Sequence, residues 1–149
     1  MKFILQMADV QFPCRVDEYC KYFNISFLDL RLRCIFCNHY LAVRELAEFH
    51  EKQLCLVWRK FECYACCEQC IFLSAKFERE NYFQCAIKPD TIVDLAKQSL
   101  QDVVVRCIMC MTLLDTPAKF DHLCRNRSFL LVRSHYKGYC RRCMQRLII

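Results

Sequence analysis

The stretch "CYACCEQC", Cys63 to Cys70, packs four cysteines into eight residues and offers two overlapping Cys-x-x-Cys pairs, Cys63/Cys66 and Cys67/Cys70. Two cysteines at this spacing can place both sulfurs on one side of a tight turn, about 2.3 Å from a shared zinc ion, and a second such turn completes a tetrahedral set. A lone Cys-x-x-Cys is also the spacing of a redox pair. An internal repeat separates the readings. A shift of 73 residues lays "LRCIFC" (Leu32–Cys37) on "VRCIMC" (Val105–Cys110), Cys67 on Cys140 and Cys70 on Cys143, whereas Cys63 and Cys66 fall on Tyr136 and Tyr139. Both copies then read C-x2-C-x29-C-x2-C, with 36 residues between them. The expected ligands are Cys34, Cys37, Cys67 and Cys70 for one zinc and Cys107, Cys110, Cys140 and Cys143 for a second. Four thiolates leave no coordination position open for water, so both sites are structural and not catalytic.

A spacer of 29 residues must carry secondary structure of its own. In the first copy "AVRELAEFHEK" has a short helical face through Val43, Leu46 and Phe49 or His50, and "LCLVWR" (Leu54–Arg59) reads as a strand. In the second, "DTPAKFDHLC" offers Thr116 as N-cap with Pro117 at the first helical position, and "SFLLVRS" (Ser128–Ser134) is the matching strand. Between the copies, Ile71 to about Phe83 has a helical pattern, Lys88-Pro89 breaks the chain, and Asp90 can cap a further helix to about Gln98. Ahead of the first pair, Tyr19, Phe23, Phe27 and Leu30 are expected packing residues. The fold class expected is α+β: two small zinc-binding domains in tandem repeat, joined by a helical linker. The segments are 1–31 as an N-terminal segment, 32–73 as the first zinc domain core, 74–100 as the linker and 101–149 as the second zinc domain.

The bulk numbers agree with zinc-stapled halves. Halves of about 70 residues are marginal on a hydrophobic core alone. The chain has 15 cysteines but one glycine and three prolines, which excludes Gly-rich phosphate loops and a G-x-S-x-G elbow. The four histidines (His39, His50, His122, His135) form no metalloprotease motif and read as surface or half-buried residues. "MKFILQMAD" lacks the long apolar core of a secretory signal, and no membrane span is expected. With an odd cysteine count, this fits a reducing compartment. The net charge of +6 is concentrated from Lys119 onward, where eight Lys or Arg face one Asp. Such a tail can attract nucleic acid or an acidic peptide, or simply be a solvated face.

The doubled C-x2-C-x29-C-x2-C pattern, with "RELAEFHEKQLCLVWR", "VVVRCIMC" and "LLVRSHYKGYC", resembles papillomavirus early protein 6, a family of small viral oncoproteins, over nearly the whole chain. The resemblance implies a non-enzymatic adaptor acting in host cytoplasm and host nucleus. It implies capture of helical L-x-x-L-L peptides in a groove formed by the zinc domains and linker. The host proteins carrying them would be a HECT-type ubiquitin ligase or a Mastermind-like Notch coactivator, with effects on host protein degradation, transcription and apoptosis. Carried onto this sequence, the family's trough falls on Leu54, Cys55, Val57, Cys66 and Ile71, and its peptide-gripping arginines on Arg59 and Arg106, with Arg133 as a further basic candidate. His135 stands where some members carry another such arginine. The chain ends "QRLII", with Leu147 where a Ser or Thr would complete the usual C-terminal PDZ ligand, so that partner is not expected.

The competing reading is a basic, zinc-containing, nucleic-acid-binding or transcription-regulating protein. Arg141, Arg142 and Arg146, near Tyr136 and Tyr139, suit weak, salt-sensitive and non-specific binding to nucleic acid. Self-association stays open. The seven cysteines outside the ligand sets (Cys14, Cys20, Cys55, Cys63, Cys66, Cys85, Cys124) read as buried or free thiols.

Overall fold

A step of 73 residues carries every element of the first half onto one of the second. The computed structural model describes residues 12–148; the N-terminal leader reading and the last residue of the PDZ-type ending lie outside them. The first half holds helix α1 (Val16–Phe23), strand β1 (Arg33–Cys34), helix α2 (Val43–Glu51), strands β2 (Val57–Arg59) and β3 (Glu62–Ala65), and helix α3 (Glu68–Asn81). The second holds strand β4 (Phe83–Ile87), then α4 (Pro89–Ala96), β5 (Arg106–Cys107), α5 (Thr116–Cys124), β6 (Phe129–Val132), β7 (His135–Gly138) and α6 (Arg141–Ile148). Strand β4 has no counterpart among the described residues of the first half. The chain divides into two compact units, Met1–Cys70 and Ile71–Ile149, and α3 starts in the first and runs on into the second. No helix among the described residues is long and apolar enough to cross a membrane.

In unit 1 the sheet order is β1-β3-β2, with β1 parallel to β3 and β2 antiparallel to it. Unit 2 repeats this as β5-β7-β6 and adds β4 antiparallel on the outer side of β6. Each core forms where the helix between the ligand pairs meets the sheet. Leu46 and Phe49 of α2 are buried, as are Leu56, Trp58 and Ala65, while Val43 is exposed. In unit 2, Val103, Val105, Leu114, Ala118 and Phe129 belong to one buried cluster with Ile87 and Ile92. Lys119 stands in the place of Leu46 and is also buried, its Nζ donating to the Gln101 carbonyl at 2.9 Å.

Several local expectations shift. The N-cap of α5 is Asp115, whose carboxylate accepts from the Ala118 N–H at 2.9 Å, so Thr116 is the first helical residue and Pro117 the second. Helix α4 starts at Pro89 with Lys88 as a cap that gives no side-chain bond, so Asp90 sits inside the first turn and complements the helix dipole there. The expected strands shorten to 57–59 and 129–132. The segment 74–100 is not a helical linker throughout: it holds the end of α3, strand β4 and α4, and its strand belongs to the sheet of unit 2. Phe23 is exposed, whereas Leu30 is buried as expected.

Ten non-glycine residues among those described have positive φ, and they form five pairs 73 residues apart: Asn24/Lys97, Asn38/Met111, Gln53/Asn126, Lys60/Arg133 and Phe61/Ser134. The fold therefore demands left-handed backbone at fixed places whatever residue is supplied. The last two pairs are the two-residue turns of the β2–β3 and β6–β7 hairpins, where positive φ at both positions matches the strand twist. A glycine at such a site avoids a steric cost of about 1 kcal/mol. Ser134→Gly is accordingly expected to raise the denaturant midpoint of unit 2 by the equivalent of about 0.5–1 kcal/mol; an unchanged or lowered midpoint would show that the turn carries no such strain.

Candidate metal centres

The pairing of β1 with β3 puts Cys34 opposite Ala65, two residues before Cys67, and that of β5 with β7 puts Cys107 opposite Gly138, two before Cys140. A tight turn follows each strand. Asn38 N–H donates to the Cys34 carbonyl and Met111 N–H to that of Cys107, both at 2.9 Å, and these donors are left-handed residues. Each turn is also pinned to the hairpin, Ile35 N–H to the Ala65 carbonyl at 2.9 Å and Ile108 N–H to the Gly138 carbonyl at 2.7 Å. The second ligand pair is carried at the N-terminal end of α3 (Cys67, Cys70) and of α6 (Cys140, Cys143).

Within each set, all four sulfurs lie within 4.8 Å of one another. Cys37 to Cys67 and Cys110 to Cys140 are each 3.8 Å. Zinc–sulfur bonds of about 2.3 Å in a tetrahedron require sulfurs about 3.8 Å apart. Backbone donors point at the same atoms: Phe36 N–H at the Cys34 sulfur and Met109 N–H at that of Cys107, both at 3.4 Å, with Cys140 N–H at Cys107 at 3.5 Å. Burial opposes ionisation of Cys34, but N–H groups of Cys37, Cys67 and Phe36 outweigh it and bring that thiol down to about 6. Cys107 is also held low, chiefly by hydrogen bonds from the Cys110 and Cys140 thiols. Some of their partners respond in the other direction: Cys70 is pushed up by burial, and Cys110 by its hydrogen bond with Cys107. Burial likewise pushes Cys143 up to about 12. Four touching sulfurs share protons until a divalent cation replaces them, which is the donor chemistry of a closed zinc site. The two four-cysteine clusters can hold two zinc ions, one in each unit.

The overlapping pair of "CYACCEQC" takes another course. Cys63 lies on β3, where burial pushes its thiol up to about 12. Cys66 is pushed up as well, by burial first and then by the neighbouring Cys34 and Cys67. Both remain neutral thiols, and neither belongs to the first centre's set of four.

One residue that supports the second centre reads from the sequence as a surface or half-buried histidine. His122 of α5 is instead fully buried and stacks on Phe129 at 4.3 Å between ring centroids. Its Nε2 accepts from the Tyr139 N–H at 3.0 Å, immediately before the ligand Cys140. Nε2 being the acceptor, Nδ1 carries the proton and donates to the Arg127 carbonyl, also at 3.0 Å. Gly138, the chain's only glycine, does not have positive φ. A Cβ there would stand 2.9 Å from His122 Nε2 and 3.1 Å from Leu114 Cδ2, so the glycine makes room for the histidine. The 73-residue step would have found this, because His122 aligns with the buried Phe49 and Gly138 with the buried Ala65.

The residues that the resemblance assigned to peptide capture divide between the units. In unit 1, Leu54, Val57 and Cys66 are half-buried, and Cys55 and Arg59 are exposed. In unit 2, Ile71 is buried, Arg106 is half-buried and donates from Nη1 to the Met111 carbonyl at 2.8 Å, and His135 is exposed on β7. Arg133 is 3.4 Å from Glu78 and lies over the Tyr82 ring at 4.3 Å. Trp58 is a core residue, its Nε1 donating to the Pro13 carbonyl at 2.8 Å.

Tandem units that each fold a helix and a small sheet around four cysteines define a zinc-binding α+β class. The family described as Early Protein (E6) matches residues 34–143, from the first ligand to the last. The chain is 44% identical to Protein E6 of human papillomavirus 65 over 94% of its own length and 99% of that protein's. It is 43% identical to Protein E6 of human papillomavirus type 60 over 95% of its length and all of the relative's. The solution structure of the C-terminal zinc-binding domain of HPV51 oncoprotein E6 is similar to 42% of this chain and 83% of that domain, at 25% identity and a TM-score of 0.40. This chain belongs to the papillomavirus E6 family.

Proposed function

We propose that the chain is a non-enzymatic viral adaptor that binds a short helical L-x-x-L-L segment of host proteins and so redirects their degradation or transcriptional activity. Membership of the E6 family is the observation that carries this reading. The segment Leu54–Arg59 supports it: half-buried Leu54 and Val57 beside exposed Cys55 and Arg59 offer apolar surface next to a cation. Helix-in-groove recognition uses this combination, leucines one turn apart filling an apolar trough while a basic residue meets acidic flanks. The proposed partners are a HECT-type ubiquitin ligase or a Mastermind-like coactivator, met in host cytoplasm and nucleus. Nucleic-acid binding through α6 is the weaker alternative, since Arg141 is already 3.3 Å from Asp115.

The test is a fluorescence titration of zinc-loaded protein with an L-x-x-L-L peptide from each partner class, each beside a leucine-to-alanine control. Leucine-dependent binding is expected, and Arg59→Ala should weaken it by about 2 kcal/mol, roughly 30-fold, as for a central interface residue. Folded two-zinc protein that binds the peptides and their alanine controls equally would sink the adaptor reading.

A further inference from the structure

Outside the two ligand sets, a second thiol pair is built into unit 1. Cys14, ahead of α1, and Cys55, ahead of β2, are 41 residues apart in sequence, yet their sulfurs stand 2.6 Å apart and both residues are exposed. That is about half an ångström beyond a covalent S–S bond. It is well inside the 3.8 Å separation of the ligand sulfurs, the spacing that a shared zinc ion would require. The approach is held from both sides. Leu56 N–H donates to the Cys14 carbonyl at 2.7 Å, the Trp58 indole donates to the Pro13 carbonyl at 2.8 Å, and Phe12 stacks on Trp58 at 4.5 Å. The strand segment and the residues before α1 are thus fastened together by backbone and aromatic contacts that do not involve sulfur. Bringing the two thiols together costs no further loop closure, which is the main entropic barrier to a bond between residues this far apart.

We propose that Cys14 and Cys55 are a redox modification site, closing to a reversible disulfide under a peroxide-class oxidant while both zinc centres stay intact. The Cys55 sulfur, as thiolate, attacks one peroxide oxygen; the O–O bond breaks, giving a sulfenic acid and a hydroxide that takes up a proton as water. The Cys14 sulfur then attacks the Cys55 sulfur, the S–O bond breaks, and hydroxide leaves with the Cys14 proton as a second water. Two thiols and one hydrogen peroxide become one disulfide and two waters; the sulfurs lose two electrons and the peroxide gains them. Burial and the adjoining Cys55 push the Cys14 thiol up to about 11, so Cys14 keeps its proton until the second step. The product pins the segment before α1 to the start of β2 through a bond that a dithiol reductant reopens.

The sequence makes the test direct, because Lys2, Arg15, Lys52 and Arg59 let trypsin isolate each cysteine in its own peptide, residues 3–15 and 53–59. Zinc-loaded full-length protein is titrated with hydrogen peroxide up to one equivalent, digested without reduction and weighed, with zinc release followed in parallel by a colorimetric chelator. The cross-linked pair of these two peptides should account for the first disulfide formed, with two zincs retained and full reversal by dithiothreitol. Cys14→Ser should slow entry of Cys55 into any disulfide at least tenfold, and a Cys85→Ser control should not. First disulfides that involve ligand cysteines with zinc lost, or an unchanged rate in Cys14→Ser, would overturn the inference.

Discussion

Cys67→Ser is expected to lower the bound zinc from two per chain to one and to unfold unit 1, whereas Cys63→Ser four residues earlier should leave both ions in place. The asymmetry follows from where the two sulfurs sit. Cys67 is 3.8 Å from Cys37 and within 4.8 Å of the other ligand sulfurs, so it occupies one corner of the tetrahedron. Cys63 lies on β3 opposite Trp58, and its buried thiol, raised to about 12, stays neutral at physiological pH. Structural zinc contributes an apparent free energy of about 10–16 kcal/mol in small domains. A core of about 70 residues rarely supplies more than about 3–5 kcal/mol by itself. Losing one thiolate therefore removes more than unit 1 can replace, while the Cys63 change costs about 1 kcal/mol, the ordinary cost of a point substitution. Metal analysis gives the stoichiometry, and amide exchange at Leu46 and Phe49 gives the folding of unit 1. Equal zinc loss from the two substitutions would mean that the overlapping Cys-x-x-Cys pairs had been read in the wrong register.

The ligands were legible because a repeat constrains chemistry twice. One copy of the opening stretch leaves two registers open; the second copy replaces Cys63 and Cys66 by Tyr136 and Tyr139 and leaves one. Helix α2 was legible from periodicity and α5 from its Thr-Pro start, but the cap of α5 was not, because a cap is decided by which side chain reaches the third N–H. Asp115 reaches Ala118, so Thr116 falls inside the helix. Strand β4 was hidden for a different reason. Four of its five residues are exposed and only Ile87 is buried, so no alternation marks it. It exists because the open edge of β6 accepts it, through pairs such as Ala86 with Leu130 and Ile87 with Phe129. The positive-φ turns escaped notice because the chain spends no glycine on them. His122 escaped because a histidine on a short helix resembles any surface histidine until it is laid on Phe49.

That last substitution of chemistry within a shared fold gives unit 2 a pH dependence that its counterpart lacks at the same place. His122 is held neutral: burial lowers its pKa from the ordinary 6.5, and protonating Nε2 would set an N–H against the Tyr139 N–H that it now accepts. The unfolded chain takes up this proton below about pH 6.5 and the folded unit does not. The stabilisation is thus fully present above about pH 6.5 and is lost as pH falls from there towards the folded-state pKa, with a limiting slope of about 1.4 kcal/mol per pH unit. His122→Phe, which copies unit 1, separates this effect from acid competition at the thiolates. It should cost about 2–4 kcal/mol at about pH 7.5, because the Tyr139 N–H and Arg127 carbonyl lose their partners in a buried site. Its further loss between about pH 6.5 and 5.5 should be shallower than that of the unsubstituted chain. Gly138→Ala acts on the same contact from the other side, driving a Cβ against Nε2 and costing about 1–3 kcal/mol. Amide exchange at the buried Phe129 and Val132 in zinc-loaded protein, followed from about pH 7.5 to 5.5, measures both. Parallel pH slopes in the two proteins would assign the acid sensitivity to the cysteine ligands alone and leave His122 as packing.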